Sequence, residues 1–338
     1  MFTAVLCFLF LLSPLISCTD LIDRSKLYKH IDQRRSLELA HYTTLYKEED
    51  RITVAMLGLS SMWVGVNARL VQEYFTARGG KEHRVVMLGA NHPGEDLIYM
   101  MTKDLLSERE VDLIVLSAPN RQQSHVHPVF HRIASYDLHG EIWKKLDLHD
   151  RATTWSLATI GAPLQFFNQV VERNEPGDNR ALIRNNGSWV RGLGWRRSKF
   201  SRVDASVIDH ALSQIDTPGF HKDSSTQFQY SGVFSNYQET YFRATVEEAY
   251  RHGTKVAVLS TPIWPDRKQE KPVIRIDREI LEEYGIRVIG LPPSELFGGM
   301  NEEEIQRFYY DSNHFNANGS EYFTRAISPA LWSAYDES

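Results

Sequence analysis

Two side chains near the C-terminus have the types and spacing for proton chemistry. Asp311 and His314 stand three residues apart in the polar stretch YYDSNHFNANGSEYFT, just ahead of a last apolar segment. An imidazole changes charge close to neutral pH, and a carboxylate beside it decides which ring nitrogen carries the proton. Such a pair works as a general base only where a nucleophile meets it. Otherwise the same residues make a turn with a solvated His.

The nucleophile has to come from elsewhere in the chain. The stretch GLSSMWVG offers Ser60, with Ser61 as its competitor. A Ser hydroxyl attacks a carbonyl only once a His has taken its proton. The oxyanion that forms needs amide donors, and losing one typically costs about 2.7–4 kcal/mol of barrier. Gly89 in GANHPG, or Gly94 in the same loop, and Asn120 in SAPNRQQ are candidate sources. Taken singly, Ser60 reads equally as a helix N-cap and Asn120 as a turn residue.

These residues must be positioned by the elements around them. RITVAMLG, HRVVMLG, VDLIVLSAPN, KVAVLSTP and IRVIGLPP are short apolar, β-branched runs, as expected for buried parallel strands. Helical patterns alternate with them: MWVGVNARLVQEYFTARGG, GEDLIYMMTKDLLSE, YQETYFRATVEEAYRHG, VIRIDREILEEYG and a terminal helix from about Gly319 to Trp332. This rhythm predicts an α/β fold, a doubly wound parallel sheet of about five strands. It is interrupted between the third and fourth strands by a largely helical insertion at about 121–236. In open sheets of this kind ligands bind beyond the carboxyl ends of the strands. The loops carrying Ser60, Gly89, Asn120 and the Asp311/His314 pair all fall at that edge.

The arrangement resembles the SGNH/GDSL hydrolase superfamily. Gly58-Leu59-Ser60 is similar to its Gly-Asp-Ser block, with Gly65 as a later Gly found in membrane-anchored bacterial members. DLIVLSAPNRQ resembles the strand that ends in Gly-x-Asn-Asp. DSNHFNANGSEYF resembles the Asp-x-x-His-x-Asn-x-x-Gly block. The resemblance implies a flavodoxin-like sheet and catalytic Ser60, Asp311 and His314. It also implies an oxyanion site from Gly89 and Asn120, no cofactor and no metal. It covers about 190 residues and leaves the insertion out. Leu59 stands where the family has Asp, Ala118 where Gly is usual, and Arg121 where Asp follows the Asn.

Composition bounds the rest. The 338 residues carry 42% hydrophobic and 24% charged side chains, ordinary for a globular chain, and a net charge of -5 gives no reason to expect a nucleic-acid partner. The only two Cys are Cys7 and Cys18, so no thiol metal cluster or disulfide framework can form. The N-terminal run MFTAVLCFLFLLSPLISC is apolar and uncharged. Residues 1–18 read as a signal peptide or membrane anchor, too short for a confident span. LISC resembles a bacterial lipobox, which would make Cys18 the lipidated residue. Residues 19–50 read as a charged lead-in or stalk, and 51–335 as the domain. The body is then expected outside the cytoplasm, in the periplasm or at the cell surface.

Two further clusters have bland readings beside functional ones. His125, His127 and His131 could face a metal, but Pro128 lies among them and no HExxH pattern is present, so a solvated or substrate-facing loop is the plainer reading. The section 189–202, with Trp189, Trp195 and several Arg, could stack sugars or hold anions, or simply form surface. The functional expectation is an exported serine hydrolase or O-acyltransferase acting on acyl esters, acetyl for preference, of cell-envelope glycans. A membrane acyl-transfer partner fits the same layout. The alternative is a decayed scaffold that binds a glycan or a protein. A nucleotide binder is disfavoured because the first loop lacks a Gly-rich phosphate cradle.

Overall fold

The computed structural model describes residues 23–28, 43–47, 50–90, 94–119, 122–123, 126–134, 142–171, 186, 188, 205–213, 228–230, 234–271 and 273–337. The apolar segment 1–18 with Cys18, Asn120, Arg121, His125 and the Trp/Arg section 189–202 lie outside these residues.

Five strands form one parallel sheet: β1 (Ile52–Gly58), β2 (Val85–Gly89), β3 (Val111–Ser117), β4 (Lys255–Leu259) and β5 (Arg287–Ile289). Their order is β2-β1-β3-β4-β5 and every pair is parallel. The chain is therefore α/β, and the order is that of flavodoxin-like doubly wound sheets. The chain reverses direction across the sheet between β1 and β3, and sheets of this kind bind ligands beyond the carboxyl ends of the strands at such a point.

The strands are apolar throughout because both faces are covered. Successive side chains point to opposite faces. Ala55, Leu57, Val86, Leu88, Ile114 and Leu116 enter one core. Val54, Met56, Val85, Met87, Leu113 and Val115 enter the other. The principal helices are α1 (Ser60–Gly65), α2 (Ala68–Gly79), α3 (Glu95–Glu108), α4 (Leu148–Val171), α5 (Ala205–Ser213), α6 (Asn236–Arg251), α7 (Arg278–Glu283), α8 (Pro293–Leu296), α9 (Glu302–Gln306) and α10 (Ala317–Asp336). α3, α6 and α7 cover the first face, and α1, α2 and α10 the second.

Several expected boundaries move. The helix expected over 62–80 is two helices, because Asn67 turns extended and caps α2 by accepting the N–H of Arg69. The pattern from 273 to 285 contains a two-residue strand, Val273–Ile274, paired with Gln229–Tyr230, before α7 begins. α10 starts at Ala317 and runs to Asp336, longer than expected at both ends.

The insertion returns to the sheet. Asn186, at φ 51, accepts the N–H of Met87 at 2.8 Å, and its amide donates to Val85 O and Gln72 Oε1, each at 2.9 Å. Its backbone thereby occupies the free edge of β2, which would otherwise expose unpaired amides. Asn is among the few residues that take a left-handed backbone readily.

Two pieces of the segment read as a stalk are packed into the domain. Leu27, Tyr28 and Leu45 are buried in the core beside α3. The Arg24 guanidinium forks onto Asp104 of α3, Nε to Oδ1 at 2.6 Å and Nη2 to Oδ2 at 2.5 Å, and Tyr28 Oη donates to the same carboxylate. Asp104 is 3% exposed, so it needs these partners. The apolar positions scattered among the charges of 19–50 are thus core contacts at these points. No helix among the described residues is long and apolar enough to cross a membrane.

Candidate active site

β1 ends at Gly58, whose lack of a side chain lets Ser117 of β3 and Met62 approach; an added Cβ would lie 2.4 Å from Ser117 Cβ. The chain then turns directly into α1. Leu59, extended at φ -72 and ψ 168, holds the capping position without a side-chain bond, and Ser60 is the first helical residue. Ser60 is therefore not the N-cap. Its Oγ instead meets Nε2 of His314 at 2.9 Å. Ser61 is buried, at 3% exposed, and of the two adjacent serines it is Ser60 whose hydroxyl meets the ring.

On its other side the His314 ring faces Asp311, Nδ1 lying 2.8 Å from Oδ1 and 2.9 Å from Oδ2. An ionised carboxylate can only accept, so Nδ1 carries the proton and Nε2 is left to accept from Ser60. Asp311 Oδ1 also accepts the backbone N–H of Asn313 at 2.8 Å and of His314 at 3.0 Å. The Asp side chain thus folds its own loop as it orients the ring.

The spacing of the following residues has a physical cause. Asn316 is 2% exposed and makes four side-chain bonds. Its Oδ1 accepts from Asn318 and Gly319, capping α10, and its amide donates to Arg307 O at 2.7 Å and Tyr309 O at 3.2 Å. Gly319 lies so close to Phe308 that an added Cβ would sit 2.1 Å from its carbonyl oxygen. Phe315, 1% exposed, anchors the loop in the core next to His314. Trp264, in the loop after β4, donates its backbone N–H to Ser312 O at 3.0 Å and turns its ring edge-on to Tyr309. That docking had no legible sign in the sequence, since Trp264 is 47 residues before Asp311 and carries no spacing relation to it.

The oxyanion candidates stand less simply. Gly89 is not in a loop after β2 but is its last residue, in register with Gly58. Its missing side chain admits the Trp63 ring, whose Cγ would lie 2.2 Å from a Cβ. The packing against Trp63 is sufficient reason for glycine there. Gly94 precedes α3 and gives way in the same manner to His127, 2.6 Å from a Cβ. His127 itself is buried rather than solvated, and its Nδ1 accepts the N–H of Val129 at 3.3 Å. Among the described residues no group of three His, Cys, Asp or Glu is placed to hold a metal ion.

A buried polar network ties the loop after β3 to two helix starts. Asp96 of α3, fully buried, accepts from Gln123 Nε2 at 3.1 Å, His127 N at 2.8 Å and Tyr237 Oη at 2.9 Å. Gln123 Oε1 accepts the N–H of Glu95, and its carbonyl accepts the hydroxyl of Ser235, the N-cap of α6. Burial pushes the neighbouring Glu95 carboxyl up to about 7, against the opposing hydrogen bonds from its own backbone and from Gln238. Glu95 and Asp96 are adjacent acids in the first turn of an amphipathic helix, where carboxylates favour the helix dipole. Nothing in the sequence marks them as buried.

Compared with models of known protein families the chain matches none, and no curated protein sequence matches it significantly.

Proposed function

We propose that the chain is a serine hydrolase or O-acyltransferase of the SGNH type, acting on acyl esters through a Ser60–His314–Asp311 relay. The observation that carries this reading is the unbroken line of contacts from Asp311 through both ring nitrogens of His314 to Ser60 Oγ. In such a relay His314 takes the hydroxyl proton as Ser60 Oγ attacks the ester carbonyl, and Asp311 stabilises the imidazolium that forms. Collapse of the tetrahedral intermediate breaks the bond to the alkoxy oxygen, which leaves with the proton from His314. Water or a second hydroxyl then attacks the acyl-Ser60, the proton again passing through His314.

The oxyanion that develops needs donors. In this reading the backbone of Gly89, the side chain of Asn120 and the first N–H groups of α1, which have no partner within the helix, would supply them. Membrane anchoring through residues 1–18, by lipidation at Cys18 or as an uncleaved segment, and a cell-envelope glycan as the acyl carrier complete the proposal. Incubation with short p-nitrophenyl esters tests it: wild type should release p-nitrophenol in a burst followed by steady turnover, and Ser60→Ala should do neither. Equal rates in the two would leave the relay without a catalytic role.

A further inference from the structure

The tip of the loop that carries the relay pair is exposed. Tyr309 and Phe315 bridge in antiparallel fashion, and the Tyr310 N–H donates to His314 O at 2.8 Å. Ser312 and Asn313, at the tip, face solvent. Asp311 and His314 flank that tip, so a shift there carries the carboxylate off Nδ1. A contact from another segment reaches it, because the backbone N–H of Trp264 donates to Ser312 O at 3.0 Å. Trp264 opens a short 3-10 turn, Trp264–Asp266, in the loop after β4.

Arg267 braces this turn from two directions. Its Cζ lies 4.1 Å from the centroid of the Trp264 ring, and Nη1 donates to the Trp264 carbonyl at 3.1 Å. Nη2 donates to Glu302 Oε1 at 2.8 Å. Glu302 is the first residue of α9, the helix that runs toward Tyr309 at the base of the loop. Arg267 thus ties the segment touching the tip to the helix feeding the base. The Trp264 ring is edge-on to Tyr309, with 5.6 Å between centroids, and Tyr309 Oη donates to Pro262 O at 3.4 Å. Lys268 also reaches Glu302 Oε1, at 2.8 Å, from an exposed position. Exposed ion pairs contribute little through charge alone. What Arg267 adds is shape: a planar fork that stacks on a ring while donating in two directions, which an ammonium cannot do.

We propose that Arg267 is a positioning residue for the relay: seated over Trp264 and paired with Glu302, it holds the loop after β4 against Ser312 and so keeps the Asp311 carboxylate on His314 Nδ1. Its catalytic consequence rests on the relay proposed above, whereas its effect on the Asp311–His314 contact does not.

The test compares the full chain with Arg267→Lys, which keeps the charge and loses the fork, and with Lys268→Gln, which touches the same carboxylate. One readout is kcat and KM on a p-nitrophenyl ester, per folded protein. The other is the NMR signal of the His314 Nδ1 proton in [15N]His-labelled protein, recognised by its loss in His314→Ala. A proton held by a carboxylate exchanges slowly with water and stays visible. Arg267→Lys should broaden or remove that signal and lower kcat by up to about 10²-fold, the cost of misplacing a catalytic group by about 1 Å, with KM little changed. Glu302→Ala, at an exposed site, removes the arm to α9 and should act in the same direction. Lys268→Gln should leave both readouts at the wild-type level. Wild-type signal and kcat in Arg267→Lys and Glu302→Ala would overturn the proposal and leave the relay standing. An equal loss in Lys268→Gln would also overturn it, assigning the effect to charge around Glu302. Loss of the signal in Arg267→Lys, with no ester turnover even in wild type, would uphold the positioning and remove the catalytic reading.

Discussion

The His314 ring reaches Ser60 Oγ at 2.9 Å across 254 positions of sequence. The two are brought together by the sheet, since β1 delivers Ser60 at its carboxyl end and the loop before α10 delivers His314 to the same edge. This contact distinguishes the two adjacent serines. Ser60→Ala should abolish labelling by a fluorophosphonate probe, and Ser61→Ala should leave most of it. Labelling that survives in the Ser60 variant would move the nucleophile elsewhere.

Asp311 and His314 should separate kinetically. His314→Ala removes the base and should lower kcat on a simple ester about 10²–10⁴-fold, the usual worth of a positioned base. Asp311→Asn keeps the side chain but offers an amide donor to Nδ1, which favours the wrong tautomer. It should lower kcat while leaving KM within a few-fold, because ground-state binding is untouched. A rise in KM at constant kcat would assign Asp311 to substrate binding instead.

The loop is held by Asn316 and Gly319. Asn316→Ala removes the α10 cap and should cost about 0.5–2 kcal/mol. Gly319→Ala forces a Cβ onto the Phe308 carbonyl and should cost about 1–3 kcal/mol by overpacking. Both should lower ester turnover beyond their effect on folded fraction. Chemical denaturation alongside kcat measured on folded protein checks this, and unchanged kcat in both variants would uncouple the loop's packing from the relay.

Glu95 makes stability depend on pH. Its folded-state carboxyl titrates at about 7 against an ordinary 4.5, so between those values the folded protein holds a proton that the unfolded chain has lost. The Glu95 contribution to stability should fall as pH rises through that window, by about 3 kcal/mol in all. Glu95→Gln keeps a neutral group of the same shape. It should match wild type near pH 4 and exceed it near pH 8 in urea unfolding. Parallel pH profiles for the two proteins would refute the assignment.

Arg24 tests whether the lead-in belongs to the domain. Arg24→Ala leaves Asp104 buried with its charge partner gone, and breaking such a pair should destabilise by about 3 kcal/mol. A flexible stalk would show no change in melting temperature.

The sequence by itself determined the parallel sheet and the five segments that form it. Continuous apolar β-branched runs need cover on both faces, and only an alternation of strands and helices supplies it. It also determined the Asp311/His314 pair, because three-residue spacing in a loop brings a carboxylate to an imidazole locally. The tertiary structure alone decided what depends on contacts far apart in the chain. Ser60 rather than Ser61 faces His314 because α1 begins at Ser60 and buries its neighbour. Gly89 makes room for Trp63, Asp96 is a buried acid with three partners drawn from two other segments, and Arg24 reaches the buried Asp104 of α3. Periodicity reports which side of an element is apolar, but not which polar group another segment will close over. That choice is made only when the elements pack.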